Sequence, residues 1–270
     1  MSDEIIQHYT EAQDEENRLA RGIGQWEFLR TLAILSPYLG RPQTVVDVGG
    51  GTGVYALWLA GHGHDVHVVD LVPHHVQLLQ EKARARSLVL GSASVGDALS
   101  LSFPDQFADL VLLMGPLYHM TKEDHRLKAL RECARIVKPG GRVLCSVISR
   151  FASMLAGFRN GRFDDPEFER VVDGALRDGQ HRNPLRRSSH LGSAFFHRPS
   201  DLRGEMERAG LVCEKIAGIE TPIAIIKQLD DWVDNKGRMY ELARKYAQLV
   251  EEDEALLGAS FHLLGVGRRP

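Results

Sequence analysis

Short apolar runs alternate with amphipathic stretches through the middle of this chain. Val45, Val46 and Val48 form a compact apolar run, and Ala56, Leu57, Leu59 and Ala60 follow at helical spacing. Asp65–Asp70 reads as a second strand, His74–Ala85 as a helix and Leu88–Val95 as a third strand. Asp109–Gly115 (DLVLLMG) is apolar enough to lie between two helical layers. Leu127, Leu130, Ala134 and Val137 then repeat at helical spacing. Thr121 with Asp124 predicts the start of that helix, Lys138–Gly141 predicts its stop, and Arg142–Ser149 reads as the next strand. Strands and helices in alternation predict an α/β fold with a mostly parallel sheet.

The flanks are different. Residues 1–36 read as helical, with Ile23, Trp26, Leu29 and Ala33 on one face until Pro37. From Arg150 to Pro199 the alternation stops, and so long a connection is expected to be a lid or binding segment. A helix over Asp201–Ala209, capped by Ser200 and stopped by Gly210, leads to a strand over Leu211–Ile219. A second long connection, residues 220–258, carries Met239, Ala243, Tyr246 and Val250 at helical spacing before a final strand at Ala259–Val266.

Between the first strand and the first core helix the chain reads Asp47-Val48-Gly49-Gly50-Gly51-Thr52-Gly53-Val54. A glycine turn between strand and helix lets a ligand approach the backbone closely. The place five residues after Gly49, which a dinucleotide fingerprint fills with a small residue, holds Val54, so the spacing argues against a pyrophosphate-binding dehydrogenase. Asp70 ends the second strand where an acid grips ribose hydroxyls, and Asp97 follows the third.

Taken together and in order, DVGGGTG, the acid of VHVVD, the GDA of residues 96–98 and VKPGG before RVLCSVIS resemble the class I S-adenosylmethionine-dependent methyltransferases. The resemblance runs from Thr44 to Ser149, and the flanks are similar to those of bacterial members with a helical cap. It implies a Rossmann-like, mostly parallel seven-stranded sheet with helices on both faces. One domain would span residues 1–270, with a helical cap at 1–36, a cofactor-binding core at 44–149 and cap insertions at 150–199 and 220–258. It implies S-adenosylmethionine as cofactor, contacted by Asp47, Gly49, Gly50, Gly51, Asp70, Leu71, Gly96, Asp97, Ala98, Met114 and Gly115. Asp70 would take the ribose hydroxyls and Asp97 the adenine amine. Tyr9 and Arg30 are expected near the methionine end, with core packing and a local ion pair as their other readings.

After the fourth strand the chain reads Met114-Gly115-Pro116-Leu117-Tyr118-His119. Methyltransferases of nucleic-acid amines usually carry a polar residue, two prolines and an aromatic here, and Met114 cannot supply the polar group. Tyr118 and His119 are the expected catalytic pair. His119, with an ordinary pKa of about 6.5, would accept the acceptor's proton, the alternative being a histidine held by backbone beneath the cap. Arg150, Phe196, His197 and His262 are further candidate substrate contacts. The remaining histidines form no spaced zinc set, and no metal is expected.

Charge narrows the partners. Lys and Arg number 33 against 36 Asp and Glu, a net charge of −3, which does not predict a polyanion partner. The basic run at 182–187 reads first as a solvated face. Three cysteines, Cys133, Cys145 and Cys213, without a CxxC pair predict reduced thiols. An N-terminus without a basic lead or apolar run predicts a cytoplasmic protein, and no apolar run is long enough to span a bilayer. The expected function is methyl transfer to N or O of a small metabolite by a monomer or homodimer, without membrane or nucleic acid. The alternatives are methylation of nucleic acid or protein, which needs a basic face, and a non-catalytic S-adenosylmethionine-binding regulator.

Overall fold

The computed structural model describes residues 18–182 and 192–270. The first described helix, α1 (Gly22–Leu35), leads into β1 (Thr44–Val48), α2 (Val54–Gly61), β2 (Asp65–Asp70), α3 (Pro73–Ala85), β3 (Ser92–Val95) and β4 (Ala108–Leu113). A single turn, α4 (Pro116–His119), precedes α5 (Glu123–Ile136) and the long β5 (Val137–Ile148). Then come α6 (Ala152–Asn160), α7 (Pro166–Asp178), the short strands β6 (Gln180–His181) and β7 (Ala194–Phe195), and α8 (Pro199–Arg208). The chain ends with β8 (Val212–Gly218), α9 (Leu229–Asn235), α10 (Arg238–Val250) and β9 (His262–Arg268).

Seven strands form one sheet in the order β3-β2-β1-β4-β5-β9-β8. β1 pairs in parallel with both β2 and β4, whereas β9 runs antiparallel between β5 and β8. This is the Rossmann-like class I methyltransferase arrangement. The central strands are buried on both faces because they are apolar on both: Val45, Val46 and Val48 of β1 and Val111, Leu112 and Leu113 of β4 are wholly buried. One apolar cluster holds α5 and α8 to the sheet, and a second holds α1, α2 and α3 to its other face.

The flanking segments are tied together by polar groups as well as by apolar packing. Trp26 of α1 packs among Leu229, Val233, Tyr240, Ala243 and Ala247 of α9 and α10, and its ring N–H donates to Glu220 O at 3.1 Å. On the other side Arg126 of α5 forms a buried ion pair with Glu205 of α8 at 2.8 Å and lies 3.7 Å from the Phe195 ring centroid. Glu205 also pairs with the ring of His197. Buried charges persist only when so fully paired.

Several boundaries differ from the sequence-based expectation. α5 starts at Glu123 after Lys122, with no side-chain cap, so Thr121 does not cap it; the Thr121 carbonyl instead accepts from Arg126 and Gln180. α8 begins at Pro199, and Asp201 accepts from the Arg198 N–H at 2.8 Å, replacing the expected Ser200 cap. Lys138–Gly141 lies within β5, because Val137 pairs with Ala108 across a bulge and Gly140 N–H bonds to Arg269 O. β3 is shorter than expected, since Leu88 and Leu90 pack down on the core ahead of it. β9 starts three residues late, after a 3₁₀ turn at Leu257–Ala259.

Candidate functional site

The strand order reverses between β1 and β4, and a crevice outside the carboxyl ends of such strands is where an open α/β sheet binds ligands. A cavity of about 190 Å³ lies there. Its wall contains Asp47, Gly49, Gly50, Gly51, Asp70, Leu71, Gly96, Asp97, Ala98, Met114, Gly115, Tyr118 and His119. Residues spread over more than seventy positions thus meet in one place.

The turn after β1 is built for close approach. Gly49 has φ +72° and a Cβ there would lie 2.4 Å from the Pro116 ring, so only glycine fits. Gly51 has φ +56° with open space where a Cβ would stand, and it lines the cavity. Its N–H donates to Asp70 at 2.8 Å. The other Asp70 oxygen accepts from Val72 N–H at 2.8 Å and stands 3.3 Å from the His75 ring. One carboxylate therefore joins the glycine turn to the start of α3. Asp97 accepts from Leu99 N–H at 2.9 Å, which closes the loop after β3 against the cavity.

Asp47 is fully buried, and neither of its oxygens has a hydrogen-bond partner. Burial, and secondarily the charge of Asp70, pushes its carboxyl up to about 7. A carboxylate in this position lacks a cation. A pyrophosphate beside it would be repelled, whereas an ammonium or sulfonium would be held.

Tyr118 and His119 sit on α4 at the carboxyl end of β4, their rings 4.5 Å apart, and both line the crevice. Five expected contacts, Arg30, Arg150, Phe196, His197 and His262, are not on this wall. Arg30 is buried against Glu251 and Ile219 O, so it ties α1 to the C-terminal segment. Arg150 donates to Phe196 O at 2.9 Å and to Asp201 at 3.1 Å. His197 is wholly enclosed beside Glu205, and burial holds its ring below the usual range despite that neighbour. Both were expected to touch substrate because they flank strand ends, but Arg150 is held by Phe196 O and Asp201, and His197 is enclosed with its Nε2 on Glu205 of α8. Tyr9 lies outside the described residues, as does most of the basic run at 182–187.

Sequence reasoning missed Arg18, Tyr55, His75, Pro116 and Met120, which also line the crevice. His75 had a local signal, since it stands in the first turn of α3, five residues after Asp70. Arg18 had none: it reaches the wall through a pair with Glu27 of α1 at 2.6 Å. Glu27, Glu220 and His262 are the group of side chains among the described residues whose spacing suits a metal ion. Arg18 and the His262 ring already meet those two carboxylates, so the charges close on themselves.

Residues 46–145 match a family described as "Methyltransferase domain". A ubiquinone/menaquinone biosynthesis C-methyltransferase of Bordetella avium is 36% identical over 115 residues, 42% of this chain and 43% of that protein. The counterpart from Zymomonas mobilis is 33% identical over 118 residues, 44% of this chain and 47% of that protein. The chain thus spans less than half the length of the curated relatives it matches. Among solved structures, an S-adenosylmethionine-dependent methyltransferase from Mesorhizobium loti superposes with a TM-score of 0.59 at 16% identity, covering 89% of this chain and 98% of that one. The [4+2]-cyclase SpnF superposes with a TM-score of 0.57 at 19% identity, covering 90% and 80%.

Proposed function

We propose that this chain, built on a class I S-adenosylmethionine-dependent methyltransferase domain, transfers a methyl group to N or O of a small metabolite. The observation that carries the reading is the buried Asp47 carboxyl, without a hydrogen-bond partner, beneath an open glycine turn on the crevice wall. Asp47 would hold the cofactor's ammonium, Asp70 the ribose hydroxyls and Asp97 the adenine side. When bound, S-adenosylmethionine supplies a methyl whose bond to sulfur breaks as the bond to the acceptor forms, leaving the electron pair on sulfur.

The chain's own part is to align and to dry the site. Met114 and Tyr118 present apolar surface beside the reacting end, and an imidazole nitrogen of His119 takes the acceptor's proton. α1 and the segments 150–199 and 220–258 close over the acceptor as a cap, in a cytoplasmic monomer or homodimer. The balanced charge disfavours nucleic acid as the acceptor. Among the described residues no helix is long and apolar enough to cross a membrane. The superposition with a cyclase is a reminder that this fold by itself does not fix the reaction.

The test is calorimetric titration with S-adenosylhomocysteine beside NAD. Micromolar binding of the former alone is expected; binding of NAD alone would refute the reading. Once an acceptor is in hand, His119→Ala is expected to lower turnover by about 100-fold, the low end for a lost general base. Cofactor affinity should stay within about twofold, since a base acts on the acceptor's proton and not on the cofactor. Unchanged turnover would remove His119 from the chemistry.

A further inference from the structure

The wall of the crevice has two sources. It comes from residues 47–120 except for Arg18 and Leu19, which belong to the turn ahead of α1. That turn is folded back on the helix it precedes. Gly22 takes φ +53°, and a Cβ on Gly24 would stand 1.7 Å from Arg18 O, so the backbone of the turn lies against the bare face of Gly24. The Arg18 guanidinium is then held from the side, donating to both Glu27 oxygens at 2.6 and 3.2 Å.

Glu27 is itself fixed. It is buried in α1, and the His262 ring, which pairs with Glu220, lies 3.9 Å from its carboxylate. Burial opposes a charge on Glu27, but Arg18 and His262 outweigh it and keep the carboxyl below its usual range. An arginine against such a carboxylate is oriented before any ligand arrives. Its side chain is nevertheless 41% exposed, and Arg18 is the one Lys or Arg on the wall among the described residues. Tyr55, also on the wall, shows which end of the crevice this is: burial and then the charge of Glu27 push its phenol upward, and Arg18 and Asp47 act on it too. Arg18 and Asp47 therefore stand round the same end.

A guanidinium and a carboxylate at one end of a crevice match the two charges of an α-amino acid. We infer that Arg18 binds the carboxylate of the cofactor's amino-acid end, that Glu27 is its positioning residue, and that the turn folded on Gly24 is the strap that carries it there. The inference rests on the methyltransferase reading for the identity of the ligand. Five N–H donors in one plane let a guanidinium meet two carboxylates on different edges, so the pair with Glu27 aims Arg18 and does not replace the ligand. The role expected of Arg30 passes to Arg18, and Asp47 keeps the ammonium.

The test is calorimetry on the full chain with S-adenosylhomocysteine and with 5′-S-(3-aminopropyl)-5′-thioadenosine, the same molecule without its carboxylate. The parent is expected to bind the first about tenfold more tightly or better, as a charge-assisted hydrogen-bonded pair predicts. Arg18→Gln should weaken S-adenosylhomocysteine about tenfold and leave the aminopropyl compound within about twofold, so that the preference disappears, and Arg18→Lys should restore part of it. A residue that only shaped the wall would weaken both ligands alike. Glu27→Gln should shrink the preference about threefold or more, because the guanidinium loses its anchor. Gly24→Ala forces the turn off the helix and should remove the preference in a protein that still binds the aminopropyl compound. Equal binding of the two ligands by the parent overturns the inference while the cofactor reading stands. So does an Arg18→Gln variant that keeps the preference or loses both ligands alike, or a folded Gly24→Ala with the parental preference. If the parent binds neither compound, the methyltransferase reading fails and this inference falls with it.

Discussion

Asp70→Ala is expected to weaken S-adenosylhomocysteine binding by about 1,000-fold, or ~4 kcal/mol, with the fold retained. Two losses add. A carboxylate that takes both ribose hydroxyls contributes two charge-assisted hydrogen bonds, each worth about 1.5–3 kcal/mol. The same carboxylate anchors Gly51 N–H and Val72 N–H, so its removal also frees the glycine turn and the first turn of α3 that shape the crevice. Val45, Val66, Val68 and Leu79 remain packed beneath, which is why the fold should survive. The check is calorimetry together with a thermal melt. Affinity within about threefold of the parent would show that Asp70 serves the turn and not the ligand.

The second large effect is at Asp47, and it is a pH effect. Its carboxyl titrates at about 7 in the folded protein against an ordinary 3.8, because burial, and then Asp70, oppose its charge. Between those values the folded state holds a proton that the unfolded chain has released. Stability of the ligand-free protein therefore falls as pH rises from about 4 to about 7 and stays low above. A cofactor ammonium beside the carboxylate reverses the preference. Binding below pH 7 should then release a proton, and affinity should rise with pH up to about 7 and level off. Asp47→Asn should flatten that profile and cost several hundredfold in affinity at pH 8, about 3–4 kcal/mol, because a buried charge loses its only partner. The same variant should melt higher than the parent at pH 8 without ligand. Calorimetry at pH 6 and 8 in buffers of different ionisation heat reads the proton directly. A flat affinity profile in the parent protein would show that Asp47 meets no cation.

The core of this chain was legible because its signals are local. Val45–Val48 and Asp109–Leu113 are apolar on both faces and can only be central strands, and the glycines between Asp47 and Val54 can only be a tight turn. The cofactor-side positions follow from these, since each lies within a residue or two of a strand's carboxyl end. Asp70 and Asp97 could be located without knowing what they touch. Arg30, Arg150 and His197 are a different case. Each sits near a strand end or in a lead helix, and nothing local distinguishes a side chain that faces a ligand from one that faces a buried carboxylate.

Those outcomes depend on partners far along the chain. Glu251 captures Arg30 across 221 residues, and Glu205 of α8 pairs with His197 while α8 closes on Arg126 of α5. Arg18 reaches the crevice with Glu27 of α1 pairing its guanidinium, and Tyr118 is backed by the cluster of Ile148, Ala152 and Phe196. The sequence by itself determined the sheet, the glycine turn and the acids at the strand ends, because backbone geometry and apolar periodicity act over a few residues. Which arginines and histidines remain for a ligand was decided by the tertiary structure alone, because burying a charge requires a partner, and the fold chooses that partner by proximity in space.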